Sequence, residues 1–186
     1  MQILSSRSKD HINIQRSDTL SYGKMPRIVS EIPSLEYWLT HGPQTAVQRF
    51  INDYSERMDR KDFSSTSQRY FHPKVVIYNQ NNAVYIGGAV CWTWVQVVFA
   101  PFEKMRTDMH HLYEIDPEDG SGDVRIEARG VRNVWMRGNK SEEPDVCVPV
   151  HSSWVIAKAK SEEAFEGLQF KEVRTFWDTA LLIPFL

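Results

Sequence analysis

The chain has 186 residues, of which 41% are hydrophobic and 25% charged, enough for one domain with a core of its own. Its 22 Lys and Arg are scattered and are balanced by 24 Asp and Glu, for a formal charge of −2. That charge and spread exclude a nucleic-acid binder working through a basic face.

Residues 1–30 are polar and weakly patterned, and read as a tail or as a segment that orders on a partner. Residues 31–186 read as a single domain. Pro33-Ser34 opens a short helix, SLEYWLTH, which stops at Gly42-Pro43. Pro43 suits the first turn of the next helix. From Gln44 to Arg60, Ala46, Val47, Phe50, Ile51, Tyr54 and Met58 recur at spacings of three and four, with charged residues opposite. This is the pattern of an amphipathic helix. MDRKDF breaks it, and a second short helix is expected over Phe63–Phe71, ending at His72-Pro73. VVIY (Val75–Tyr78) and AVYI (Ala83–Ile86) flank NQNN and predict a hairpin. Gly87-Gly88 then opens an aromatic helix, AVCWTWVQVVFAPFEKM. Trp92, Val95 and Phe99 form one apolar stripe and Cys91, Trp94 and Val98 another, so the helix should be largely buried. Pro101 kinks or ends it.

Long strands follow. Met105–Ile115 (MRTDMHHLYEI) carries His110 and His111 side by side, and alternation sends them to opposite faces. Met109, His111, Tyr113 and Ile115 make the more apolar face, so His111 is the first choice for the inward histidine. Leu112 favours His110, and the choice stays open. In Val124–Met136, Val124, Ile126 and Ala128 alternate with Arg125, Glu127 and Arg129 until Gly130 interrupts, which suggests a bulge. Val146–Lys158 and Leu168–Asp178 complete the set. The apolar ending ALLIPFL needs a cover, either the chain's own sheet or a dimer partner. The order predicts an α+β fold with helices packed on one face of a strongly curved, mainly antiparallel sheet.

Cys91 and Cys147 are too few for a disulfide framework and read as free, buried thiols in a reducing compartment. No apolar run suits a signal peptide or a membrane span, so the expectation is a cytoplasmic protein without a membrane partner. Neighbouring strand histidines diverge, so a metal would need His111 with His151 and a distant carboxylate; no metal is expected. Gly87-Gly88 lacks the surroundings of a phosphate-binding loop, and no cofactor is expected. Cys91 lies in VCWTW and reads as a buried thiol. The tryptophans belong to a core or to the wall of an apolar pocket, Trp94 among them.

The helix ending in MDRKDF, the sequence FHPKVVIYN, the helix after YIGG, the strand with MHHL and the terminal GLQFKEVRTFWD stand in an order that resembles the SnoaL-like branch of the NTF2-like superfamily. The resemblance covers about residues 44–182. It implies a cone-shaped α+β barrel with a deep apolar pocket, and commonly a homodimer. Within that superfamily the nearest catalytic pattern is that of scytalone dehydratase. By that likeness Asp59, in MDRKDF, is the aspartate that orients a catalytic histidine, which falls on His110 or His111. Met58 replaces the family's adjacent tyrosine. The family's second histidine has no match; Arg132 and Asn133 lie there instead. Its Ser and Asn on the penultimate strand fall near His151 and Ser153, and its first-strand tyrosine at Tyr78 or Asn79.

An Asp–His pair is chemically apt, because histidine gives and takes protons near neutral pH and a carboxylate fixes its tautomer. The resemblance implies a cofactor-independent isomerase, cyclase or dehydratase. It would act on a small, apolar, oxygenated, polycyclic intermediate of a polyketide, terpenoid or alkaloid pathway. The alternative is a non-catalytic ligand- or protein-binding module on the same fold. In that case Asp59 is a helix-end cap or ion-pair partner, and the histidine a satisfied core residue.

Overall fold

The computed structural model describes residues 25–185. The tail expected over 1–30 thus lies outside the described residues up to position 24. Its last part belongs to a strand, β1 (Arg27–Ile32), whose Ile32 is fully buried. The other elements are α1 (Leu35–His41), α2 (Ala46–Asp59), β2 (Phe71–Asn79), β3 (Val84–Ile86), α3 (Gly88–Phe99), β4 (Phe102–Asp116), β5 (Val124–Met136), β6 (Val146–Lys158) and β7 (Leu168–Trp177). The strands form one seven-stranded sheet in the order β1-β4-β5-β6-β7-β2-β3. Every pairing is antiparallel except β2 with β7, which is parallel. This is the expected α+β architecture.

Local chemistry sets most boundaries. Ser34 caps α1, its hydroxyl accepting from the Tyr37 N–H at 3.1 Å. Gly42 stops the helix at φ 64°, a conformation open to glycine at little cost. Thr45 caps α2 by accepting from the Gln48 N–H at 3.0 Å. The α2 face of Val47, Phe50, Ile51 and Met58 is buried against the sheet, as its spacing requires. The helix expected over Phe63–Phe71 is only a 3₁₀ turn, Ser67–Arg69, and the strand β2 begins at Phe71. Aromatic residues decide this: Tyr70, Phe71 and Phe170 are fully buried around Phe50 and Tyr54, and an extended chain brings Phe71 beside Phe170 on β7. The aromatic helix ends at Phe99, and Pro101, expected to kink or end it, stands between it and β4. The 3₁₀ turn Thr179–Phe185 puts Leu182 into the core, so the chain covers part of its own apolar ending.

One irregularity governs the site. Met109 pairs with Gly130 and His111 with Arg129, so His110 is the extra residue of a bulge in β4. Glycine is required opposite, because a Cβ at Gly130 would lie 2.4 Å from the Asp108 carbonyl oxygen. The bulge shifts the alternation by one. Met109 faces the core before it and Leu112 after it, while His111 is exposed.

Candidate active site

The concave side of the sheet, roofed by α2 and α3, encloses a cavity with about 70 Å³ open to water centres. That is room for several waters or a small planar group. Most of its wall is apolar: Met58, Trp94, Val95, Val98, Phe99, Met109, Ala128, Trp154, Phe170 and Trp177. The polar groups on it are few. Tyr54 and Ser55 come from α2, Thr107 from β4, Arg132 from β5, Ser152 from β6 and Thr175 from β7, while Tyr78 and the exposed Arg129 border it from strands whose side chains there point outward.

Strand alternation explains this selection. Ile126, Ala128 and Val134 are the buried face of β5, and Arg132 shares their parity. Register places Arg132 opposite Thr107. The Arg132 Nε donates to Thr107 Oγ1 at 3.3 Å, and the Thr107 hydroxyl donates to Asp59 Oδ1 at 3.3 Å. The Thr107 N–H also donates to Asp59 Oδ2, at 3.0 Å. Asp59, the last residue of α2, is therefore tied to Arg132 through one hydroxyl. The guanidinium carbon also lies 5.2 Å from the centre of the Phe99 ring and 5.3 Å from that of Trp177. Across the cavity, the Ser152 and Thr175 hydroxyls are 3.2 Å apart, and Trp154 Nε1 donates to Thr175 at 3.5 Å.

Burial sets the charges here. It pushes the Asp59 carboxyl above the ordinary carboxylate range, and outweighs the Thr107 N–H, the Arg132 charge and the Thr107 hydroxyl, which pull it down. Burial lowers the proton affinity of Arg132, while Asp59 and Tyr54 pull it back up. A guanidinium stays protonated at any such shift. Burial also raises the Tyr54 phenol far above its usual range, so it stands as a neutral donor. Tyr54 and Arg132 each keep some accessible surface, and both border the cavity.

The residues expected from sequence divide into two groups. Arg132 and Trp94 line the cavity, with Asp59 directly behind Thr107. Tyr78 borders it as well, but Val173 and Thr175 face inward on β7, so its ring lies on the other side, with the Arg174 guanidinium 4.3 Å from its centre. Asn79 ends β2 with its Oδ1 accepting from the Gln80 N–H at 2.9 Å. The expected Asp59–histidine hydrogen bond is not formed: Asp59 bonds Thr107, and neither His110 nor His111 borders the cavity. The bulge is the reason, since it turns His111 out to solvent. His151, Ser153 and Asn133 also lie on the outer face. His151 Nε2 is 3.3 Å from Glu127 Oε2, Ser153 donates to Glu127 Oε1 at 2.8 Å, and Asn133 donates to Asp108 Oδ2 at 2.7 Å. His111 and His151 both pair with Arg129, which stands between them, and His151 is turned to Glu127. Among the described residues no group of three His, Cys, Asp or Glu is placed to hold a metal.

Sequence reading missed Tyr54 and Thr107 as site residues. Tyr54 belongs to the apolar stripe of α2 and reads as core. Thr107 stands two residues before Met109 on its face, and that parity was the available signal.

This assembly of helices, curled sheet and enclosed cavity also occurs in solved structures. A candidate SnoaL-like polyketide cyclase from Shewanella denitrificans OS-217 superposes with a TM-score of 0.53 at 13% identity, over 76% of this chain and 96% of its own. A candidate dehydratase of the NTF2-like family from Streptomyces avermitilis gives 0.55 at 14% identity, over 70% and 91%. ActVI-ORFA from Streptomyces coelicolor gives 0.54 at 14% identity, over 72% and 95%. The chain has the NTF2-like fold. No protein-family model matches its sequence, and no curated protein does. The NTF2-like cone accounts for the curled sheet and for a cavity between its concave face and the helices. At such identities it does not transfer chemistry, which depends on the residues lining this particular cone.

Proposed function

We propose that the protein is a cofactor-independent enzyme that moves a proton on an apolar, oxygenated small molecule, in an isomerisation, cyclisation or dehydration of the kind found in natural-product pathways. One observation carries this reading: a carboxyl of raised proton affinity is joined through a single hydroxyl to a half-buried guanidinium, at the wall of a mostly apolar cavity. Raised carboxyl pKa values bring an acid–base group nearer to neutral pH. In this reading Asp59 accepts the proton from a carbon next to a carbonyl and returns it elsewhere, with the Thr107 hydroxyl carrying it between Asp59 and the cavity. The neutral Tyr54 phenol holds the carbonyl oxygen, where negative charge grows as the proton leaves, and the Arg132 charge lies close enough to favour it. The aromatic wall takes the substrate body and keeps out water. The names of the two bacterial neighbours, a cyclase and a dehydratase, are of the same reaction type. A binding module with no chemistry would have no use for the Asp59 proton.

The test is solvent deuterium exchange into 2-tetralone, a bicyclic carbon acid, followed by NMR. Exchange above the buffer rate in the wild type that falls to the buffer rate in Asp59→Asn supports the reading. No acceleration, or equal acceleration in Asp59→Asn, removes it. Assembly as a homodimer through the outer face of the sheet belongs to the same proposal.

A further inference from the structure

The Arg132 guanidinium has more hydrogen-bonding capacity than the protein uses. It carries five N–H donors in a planar fork. Nε is spent on Thr107. The Phe99 and Trp177 rings flank the guanidinium, their centres 5.2 and 5.3 Å from its carbon. The two Nη groups have no hydrogen-bond partner among the described residues, and no carboxylate there lies within ion-pairing distance of the guanidinium. Asp59 reaches it only through Thr107. Arg132 borders the cavity, so the free edge of the fork opens there.

A buried cation without a direct counter-ion is costly, and the cost is recovered when an anion joins it. The fork geometry matches a carboxylate, whose two oxygens accept two parallel N–H bonds. The Nε–Thr107 hydrogen bond and the two neighbouring rings limit how the guanidinium can turn, so this edge is held toward the cavity. Arg129 also borders the cavity, but its side chain is exposed and shares the outward parity of Arg125 and Glu127, so Arg132 is the cation whose side chain faces inward among the lining residues. One fixed cation in an apolar chamber selects a ligand with one anionic group and an apolar body.

We propose that Arg132 is an anion-recognition residue and that the natural ligand of this cavity is an apolar carboxylic acid, bound as its carboxylate on the free edge of the guanidinium. This rests on the cavity being the substrate site, as proposed above, but it does not depend on proton transfer by Asp59.

The test is isothermal titration calorimetry of the full chain with benzoate and with benzamide, which match in shape and differ in charge. Charge-assisted hydrogen bonds predict benzoate binding at least about tenfold tighter. Arg132→Met keeps much of the apolar stem and should remove the preference. Arg132→Lys keeps the charge without the fork and should retain only part of it. Asp59→Asn should retain the preference, so failure of the acid–base reading would leave this result standing. Equal binding of benzoate and benzamide by the wild type, no saturable benzoate binding in the millimolar range, or a preference that survives in a folded Arg132→Met each overturns the proposal. If Arg132→Met does not fold, the wild-type comparison decides alone.

Discussion

Asp59 shows how a single side chain changes meaning with its surroundings. In the sequence it is a carboxylate at a helix end; in the fold it is an acid whose proton is held tightly because burial opposes its charge. That has a consequence for stability. The folded state holds the Asp59 proton more firmly than the unfolded chain does. The contribution is therefore complete below the unfolded carboxyl value of ~3.9 and is lost as pH rises through the higher folded value. Asp59→Asn cannot titrate, so wild-type stability should fall relative to this variant as pH climbs out of the acid range. Urea denaturation across that range checks it, and a difference that grows in the opposite direction would rule out the raised value. The two histidines of β4 give the complementary case. The double variant His110→Ala/His111→Ala should keep deuterium exchange into 2-tetralone at the wild-type rate. Its stability should change by no more than about 1 kcal/mol, as for surface positions generally. A collapse of the exchange rate would return the histidines to the mechanism.

At the scale of elements, the bulge of β4 decides which side chains enter the cavity. Leu112 is the residue that revealed it. Met109 and Leu112 are both apolar and three apart, which strict alternation cannot place on one face, and an extra residue between them can. Gly130 marks the level of the bulge from the neighbouring strand, although the additional residue is His110 and not one of its own. Gly130→Ala forces a Cβ against the Asp108 carbonyl at 2.4 Å. The expected cost is about 2–3 kcal/mol, measurable by chemical denaturation, since neither backbone can move without breaking the β4–β5 register. Unchanged stability would mean that the two strands do not approach this closely. The same element carries Thr107, so a loosened bulge should also disturb the link between Asp59 and Arg132.

For the molecule as a whole, the two faces of the sheet have different chemistry. The concave face is aromatic and aliphatic around a few polar groups. The outer face carries the Arg106–Asp108 and Arg174–Glu172 ion pairs, with His151 on Glu127. A homodimer formed through that outer face would be held by charge complementarity and would weaken as salt screens it. Light scattering at micromolar concentration should give twice the chain mass at low salt, and less at high salt. A chain-sized mass at low salt would rule out this dimer.

Local chemistry settled much of the fold from sequence alone. The spacing of Val47, Phe50, Ile51 and Met58 specified α2, and the Ser34 and Gly42 signals bounded α1, whereas Arg132 entered as a candidate only through the family likeness. These signals act over a few residues, where backbone geometry dictates the period. Two matters were settled only in three dimensions. The helix expected over Phe63–Phe71 gave way to a short turn and a strand because buried aromatics from distant elements required an extended Phe71. The partner of Asp59 became Thr107 and not a histidine because one inserted residue in β4 reversed the faces beyond it. Pairing register is a contact between strands, and a sequence read along one strand does not contain it.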